Sequence, residues 1–141
     1  MASFKDNLAE NVTLEGAVMN GVLQGREAVL AQLAVVSGFY SERVDHFSFD
    51  SGDYHVEEYE AVVAGRPIRA TATMHRDAAG KIDAVVVNHR PLSAVLTFSR
   101  LIAESPIGAE SDPDRFYRPT GQTYQGLLDY ADRQNATHPD A

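Results

Sequence analysis

The chain has 141 residues, the size of one ordinary domain and too short for two. Hydrophobic residues make up 44% and charged residues 23%, a globular balance that excludes disordered, collagen-like and coiled-coil chains. A net charge of -8 argues against nucleic acid or membrane as a partner, and the absence of cysteine removes disulfide scaffolds, thiolate metal centres and cysteine nucleophiles.

Residues 1–10 mix Lys5, Asp6 and Glu10 into their few apolar positions, so no signal peptide is read there and a cytoplasmic protein is expected. The longest apolar tract, 28–36, is interrupted by Gln32 and is far too short to span a bilayer. Phe4 and Leu8 anchor a turn or two of helix, and 12–18 alternates loosely as a strand. After a turn-rich stretch, Ala28, Val29, Leu33 and Val36 share one face of a helix over 25–37 that Gly38 is placed to end. Arg26 and Glu27, at its start, read as a surface ion pair. Residues 41–50, with Val44, Phe47 and Phe49, read as a strand closed by Ser51 and Gly52.

Three strands then follow as a meander over 54–64, 67–76 and 81–90. If Ala64-Gly65 is a two-residue loop, Val63 pairs with Arg66, Tyr59 with Ala70, Glu57 with Ala72 and His55 with Met74; a loop one residue longer reverses the faces. The first register sets Glu58 and Glu60 beside Arg69, Thr71 and Thr73 on an outer face, a complementary arrangement that supports it. Continued across the next turn, the same ladder aligns Glu57 with Ala72 and Val85, and His89 with Ile68. Pro91 stops the last strand, and Leu92, Val95, Leu96, Leu101 and Ile102 form the apolar stripe of a helix to about residue 104, with Ser93 as a candidate cap. The division expected is a domain over 1–105, a linker over 106–120 rich in proline and glycine, and a C-terminal helix and tail over 121–141 that fold back to cover the pocket mouth.

The run LEGAVMNGVLQGREAVLAQL at 14–33, DAAGKI at 77–82 and HRPLSAVL at 89–96 resemble nuclear transport factor 2-like domains, in particular the short bacterial SnoaL-like members. The resemblance covers about three quarters of the chain and implies an α+β cone: a strongly curved mixed or antiparallel sheet wrapped around helices, with one closed-ended pocket. It also implies a homodimer through the outer sheet face. It does not imply a reaction, because the fold hosts isomerases, cyclases, dehydratases, hydrolases and proteins with no chemistry. Aligned with ketosteroid isomerases of this family, the catalytic aspartate falls on Gly16 and the second acid on Ala72, while the helix that carries the tyrosine is cut short. Ketosteroid isomerase chemistry is therefore not expected.

On this register His55, Glu57, Tyr59, Ala61, Ile68, Ala70, Ala72, Met74, Val85, Val87 and His89 point inward, and Gly16 faces them from the first strand. Apolar walls with a few polar groups are the make-up of a small-molecule site. His89 is the first candidate for a base, because a neutral imidazole accepts a proton near pH 7. Glu57, desolvated, is the candidate acid or base, and Tyr59 a group that orients a ligand oxygen. His55, Glu57 and His89 mimic a two-histidine, one-carboxylate metal set, but the four-residue offset separates Glu57 and His89 by roughly 13 Å, so no metal and no cofactor is expected. The leading reading is a binding protein for a small, largely apolar molecule. The alternatives are a cofactor-free acid-base enzyme in the same pocket and a protein-interaction module using the outer sheet face.

Overall fold

The computed structural model describes residues 4–137, so the last four residues of the expected tail lie outside it. A short 3-10 turn at Phe4–Asn7 leads into strands β1 (Leu8–Gly16) and β2 (Leu23–Gln24), helix α1 (Arg26–Phe39), and strands β3 (Ser41–Ser51), β4 (Tyr54–Val63), β5 (Arg66–Arg76) and β6 (Ile82–Arg90). Helices α2 (Leu92–Glu104), α3 (Pro106–Glu110) and α4 (Gln122–Thr137) complete the chain. The six strands form one sheet in the order β2-β1-β6-β5-β4-β3. It is mixed, with β1 parallel to β6 and every other neighbour antiparallel, and it stays open at β2 and β3. This is the α+β cone expected.

The β4–β5 hairpin has the expected register, with Val63 opposite Arg66, Tyr59 opposite Ala70 and Glu57 opposite Ala72. Its two-residue turn has positive φ at both positions, 50° at Ala64 and 76° at Gly65, the twist that joins two antiparallel strands most directly. The β5–β6 register is corrected. Arg76 lies opposite Ile82 and the ladder then slips, so that His75 pairs with Ala84, Ala72 with Val87 and Ala70 with His89. The turn is one residue longer than read and the slip adds another. Two single-residue shifts restore the original face but slide β6 by two positions. The same side chains therefore point inward, and His89 stands beside Tyr59 across Ala70 instead of opposite Ile68.

The core lies between the inner sheet face and the helices. Val12, Val29, Ala70, Phe98 and Ile102 are sealed completely, and each large apolar side chain so placed contributes about 1.5–3 kcal/mol. Helix α2 forms because Ala94, Val95, Phe98 and Ile102 recur at helical spacing and bury one face. Ser93 lies inside α2 and makes no cap; its carbonyl accepts from Thr97 Oγ1 at 3.2 Å.

Three further differences position the site. Gly38 does not end α1, which runs on to Phe39 and caps at Tyr40. The ring of Phe39 packs 5.8 Å from Phe98, and this contact carries the helix past the glycine. Arg26 donates through Nε to the Leu8 carbonyl at 3.0 Å, tying α1 to β1 in place of the expected pairing with Glu27. The 106–120 segment, read as a linker, contains α3 and then lays Phe116, 4% exposed, against the core as a bridge to Met19. The Tyr117 amide donates to Ser99 Oγ at 2.8 Å. Helix α4 rests on α2 through the Thr97–Tyr124 hydroxyl pair at 2.6 Å and on the β4–β5 turn through Arg66 and Asp132 at 2.8 Å. Among the described residues no helix is long and apolar enough to cross a membrane.

Candidate functional site

A cavity of about 260 Å³ opens between α1 and the inner face of β1, β6, β5 and β4. Its walls include Leu14, Val18, Leu33, Met74, Val85 and Val87. Of the residues expected to form the site, His89, Glu57, Tyr59, Ala72, Met74, Val85, Val87 and Gly16 all line it. Ala70 and His55 do not. Ala70 is fully buried between its cross-strand neighbours Tyr59 and His89. His55 sits near the start of β4, where Nδ1 meets the Asp50 carboxylate at 2.9 Å and holds the ring toward the edge strand. The lining residues from the N-terminal turn are Phe4 and Lys5, and among the described residues none comes from beyond His89, so the described part of the C-terminal segment, up to residue 137, does not form the mouth as expected.

The centre of the site is a chain of rings. Tyr40 OH lies 2.9 Å from Tyr59 OH and 2.5 Å from His89 Nε2. Each ring comes from a different element: Tyr40 from the cap of α1, Tyr59 from β4 and His89 from β6. Phe98 of α2 closes the cluster from below, 5.4 Å from His89 and 5.6 Å from Tyr40. The direction of the hydrogen bonds follows from counting donors. If Tyr59 donates to Tyr40 and Tyr40 donates to Nε2, both hydroxyl protons are placed; the reverse leaves the Tyr59 proton without a protein acceptor. His89 then carries its proton on Nδ1, the one buried side-chain polar atom with no hydrogen-bond partner among the described residues.

Burial sets the protonation of these groups. It lowers the His89 pKa from 6.5 to about 4, so the ring is neutral at pH 7 and a weak base. Tyr40 is pushed well above the ordinary tyrosine value, first by burial and then by Tyr59. Tyr59 is raised by burial, partly offset by its bond to Tyr40 and by Arg43. All three are neutral polar groups at physiological pH.

Charge is confined to the rim. The Arg43 guanidinium stacks over the Tyr59 ring at 3.8 Å, donates to Asp45 at 2.9 Å and lies 3.6 Å from Glu57. Glu57, 25% exposed, also lies 3.5 Å from His55 Nε2. It is only partly enclosed, because it sits one residue pair outward from the Tyr59 position, where the strand reaches water. Among the described residues no three His, Asp or Glu side chains converge as metal ligands. The corrected register brings Glu57 and His89 within two positions of each other, yet Nε2 of His89 is already held by Tyr40.

Gly16 occupies a position with no room for a side chain. β1 and β6 approach so closely there that a Cβ would stand 2.1 Å from the Val87 carbonyl oxygen. No L side chain fits at that distance. Tyr40, Arg43 and Gln32 were not read from the sequence as site residues. The signal for Tyr40 was present: Val29, Leu33, Val36 and Tyr40 continue one helical stripe once Gly38 is not taken as a stop.

No family model matches the chain, and no curated protein matches it. Solved structures do. A steroid delta-isomerase from Pseudomonas aeruginosa superposes with a TM-score of 0.66 at 20% identity, over 70% of this chain and 74% of that one. An NTF2-like protein of unknown function from Cytophaga hutchinsonii aligns at 25% identity and a TM-score of 0.50, over 62% and 72% of the two chains. A hypothetical protein with a ketosteroid isomerase-like fold from Catenulispora acidiphila, in complex with trimethylamine, aligns at 16% identity and a TM-score of 0.51, over 66% and 76%. The chain has the nuclear transport factor 2-like fold.

Proposed function

We propose that this chain is a binding protein for a small, largely apolar molecule held in the cavity between α1 and the sheet. The observation that carries the reading is the make-up of that cavity: about 260 Å³ of mainly aliphatic wall, with a buried cluster of Tyr40, Tyr59 and His89 that is neutral at pH 7. Such a cluster presents hydrogen-bonding groups without charge, which suits recognition. It suits proton abstraction poorly, because a histidine with a pKa near 4 is a weak acceptor and Glu57 is engaged at the rim. An enzymatic role for His89, Glu57 and Tyr59 is the alternative, and it requires turnover that His89→Gln abolishes while ligand affinity survives. The direct test is native mass spectrometry of the full chain purified from its own host. A retained small molecule, displaced when Ala72→Trp fills the cavity, is the expected result; no retained molecule and no binding from a hydrophobic metabolite extract would refute the reading.

Homodimerisation is part of the proposal and rests on the outer sheet face. Val44, Phe47 and Phe49 are each about half exposed there and pair across the ladder with Glu60, Glu58 and Val56. Glu58 is bonded to Thr71 and Arg90, and Glu60 to Arg69 at 3.2 Å, which leaves an apolar strip beside a neutralised polar one. Light scattering should report a dimer that Phe47→Lys with Phe49→Lys converts to monomer. A monomeric wild type would end this part of the proposal.

A further inference from the structure

Helix α1 buries a stripe made of Val29, Gln32 and Leu33, and Gln32 is the anomaly in it. The side chain is 2% exposed and lines the cavity, on the wall opposite the Tyr59–His89 strands. Its hydrogen-bond partner is the Met19 thioether, 3.0 Å from Nε2, a weak acceptor. An amide offers two N–H donors and a carbonyl with two lone pairs, so most of its capacity is unused. Among the described residues its oxygen has no partner and is not sealed in the packing, since the one buried side-chain polar atom left unpartnered there is His89 Nδ1. With the side chain otherwise enclosed, the surface that remains to this amide is cavity surface. A leucine would fill the same place without the cost of an under-satisfied buried amide.

Two further observations limit what the amide can face. An engineered cavity of about 150 Å³ accepts benzene, so on that scale a cavity of about 260 Å³ accepts a molecule of roughly ten non-hydrogen atoms, one ring with a short substituent. The interior polar groups are an amide, two phenols and a neutral imidazole, whereas the charged lining residues Lys5, Glu15, Arg43 and Glu57 all keep contact with solvent. Bringing an ion past them into neutral walls carries a large desolvation penalty.

We infer that Gln32 is the residue that anchors and selects the ligand, and that the ligand is an uncharged, single-ring-sized molecule whose hydroxyl group donates a hydrogen bond to the Gln32 amide oxygen. This rests on the cavity being a binding site, and the test separates the two. Calorimetry on the full chain uses three probes of one size: 1-phenylethanol, its hydrocarbon isostere isopropylbenzene, and benzoate. Changing Gln32→Leu is expected to lower the ratio of 1-phenylethanol to isopropylbenzene affinity about tenfold, the worth of one hydrogen bond. Hydrocarbon affinity holds or improves, the melting temperature rises, and benzoate binds most weakly to the wild type. Gln32→Met, which keeps side-chain length, repeats the measurement independently of how well the leucine variant folds. A ratio that stays the same in both variants, or benzoate as the tightest probe, overturns the assignment and leaves the cavity reading intact. Absence of binding by all three probes overturns both.

Discussion

The clearest quantitative consequence of the buried ring cluster is a dependence of stability on pH below neutrality. The unfolded chain takes up a proton on His89 at about pH 6.5, its ordinary value, whereas in the fold the ring resists protonation until about pH 4. Between these values the unfolded state binds more protons, so stability is fully present above pH 6.5 and is lost as the pH falls toward 4. The whole difference is worth about 3 kcal/mol, at about 1.4 kcal/mol per factor of ten, and about 2 kcal/mol of it falls between pH 7 and pH 5. Against a total stability of roughly 5–15 kcal/mol this is a large share. The packing partners of the ring, Tyr40, Tyr59 and Phe98, carry no charge in that range. Asp50 and Glu58, whose pKa values are lowered mainly by hydrogen bonds from His55 and Thr71, give up their contribution only as the pH falls through the carboxylate range below. Urea unfolding at pH 7, 6 and 5 should show the loss in the wild type. The substitution His89→Gln keeps an acceptor for Tyr40 and cannot titrate, so it should remove most of the slope. An equal slope in the two proteins would refute the assignment of the effect to His89.

Three other outcomes follow from the geometry. Gly16→Asp should cost about 3 kcal/mol or more, because the Val87 carbonyl occupies the space of its Cβ; an unchanged melting temperature would contradict this. Phe116→Ala should cost about 3–5 kcal/mol in denaturant unfolding while Tyr117→Ala, at 41% exposure, costs under about 1 kcal/mol, and equal effects would show that the 106–120 segment is no part of the core. Ala64→Asn should raise stability by about 0.5 kcal/mol, since asparagine tolerates the positive φ of 50° better than alanine; a lower midpoint would argue against the two-residue turn.

The fold was legible where local chemistry and long-range pattern agreed. Ala64 and Gly65 allow the tight turn, and the Glu58–Glu60 face opposite Arg69 and Thr71 chooses one register over its mirror. The β5–β6 register was not legible, because a slip beside Asp83 leaves no trace in hydrophobic alternation when two single shifts cancel. The inward positions of Tyr59 and His89 survived that error by parity, but their adjacency did not. Tyr40 was hidden by giving Gly38 its usual meaning as a helix stop, when a tertiary contact between Phe39 and Phe98 overrides it. Gln32 was visible only as a break in an apolar run; burial turned it into a question about what it bonds.

The parallel pairing of β1 with β6 has a kinetic meaning as well. Leu14 lies beside Val85 and Gly16 beside Val87, so about seventy residues of chain must be closed into a loop before those contacts form. The β3–β6 strands join through short turns and lose far less entropy on meeting. Any compact species that has the meander but lacks β1 has a missing wall and hence no enclosed cavity. Occupancy of the cavity is thus a report that the first strand has met the meander, and a ligand captured there holds that long-range junction closed.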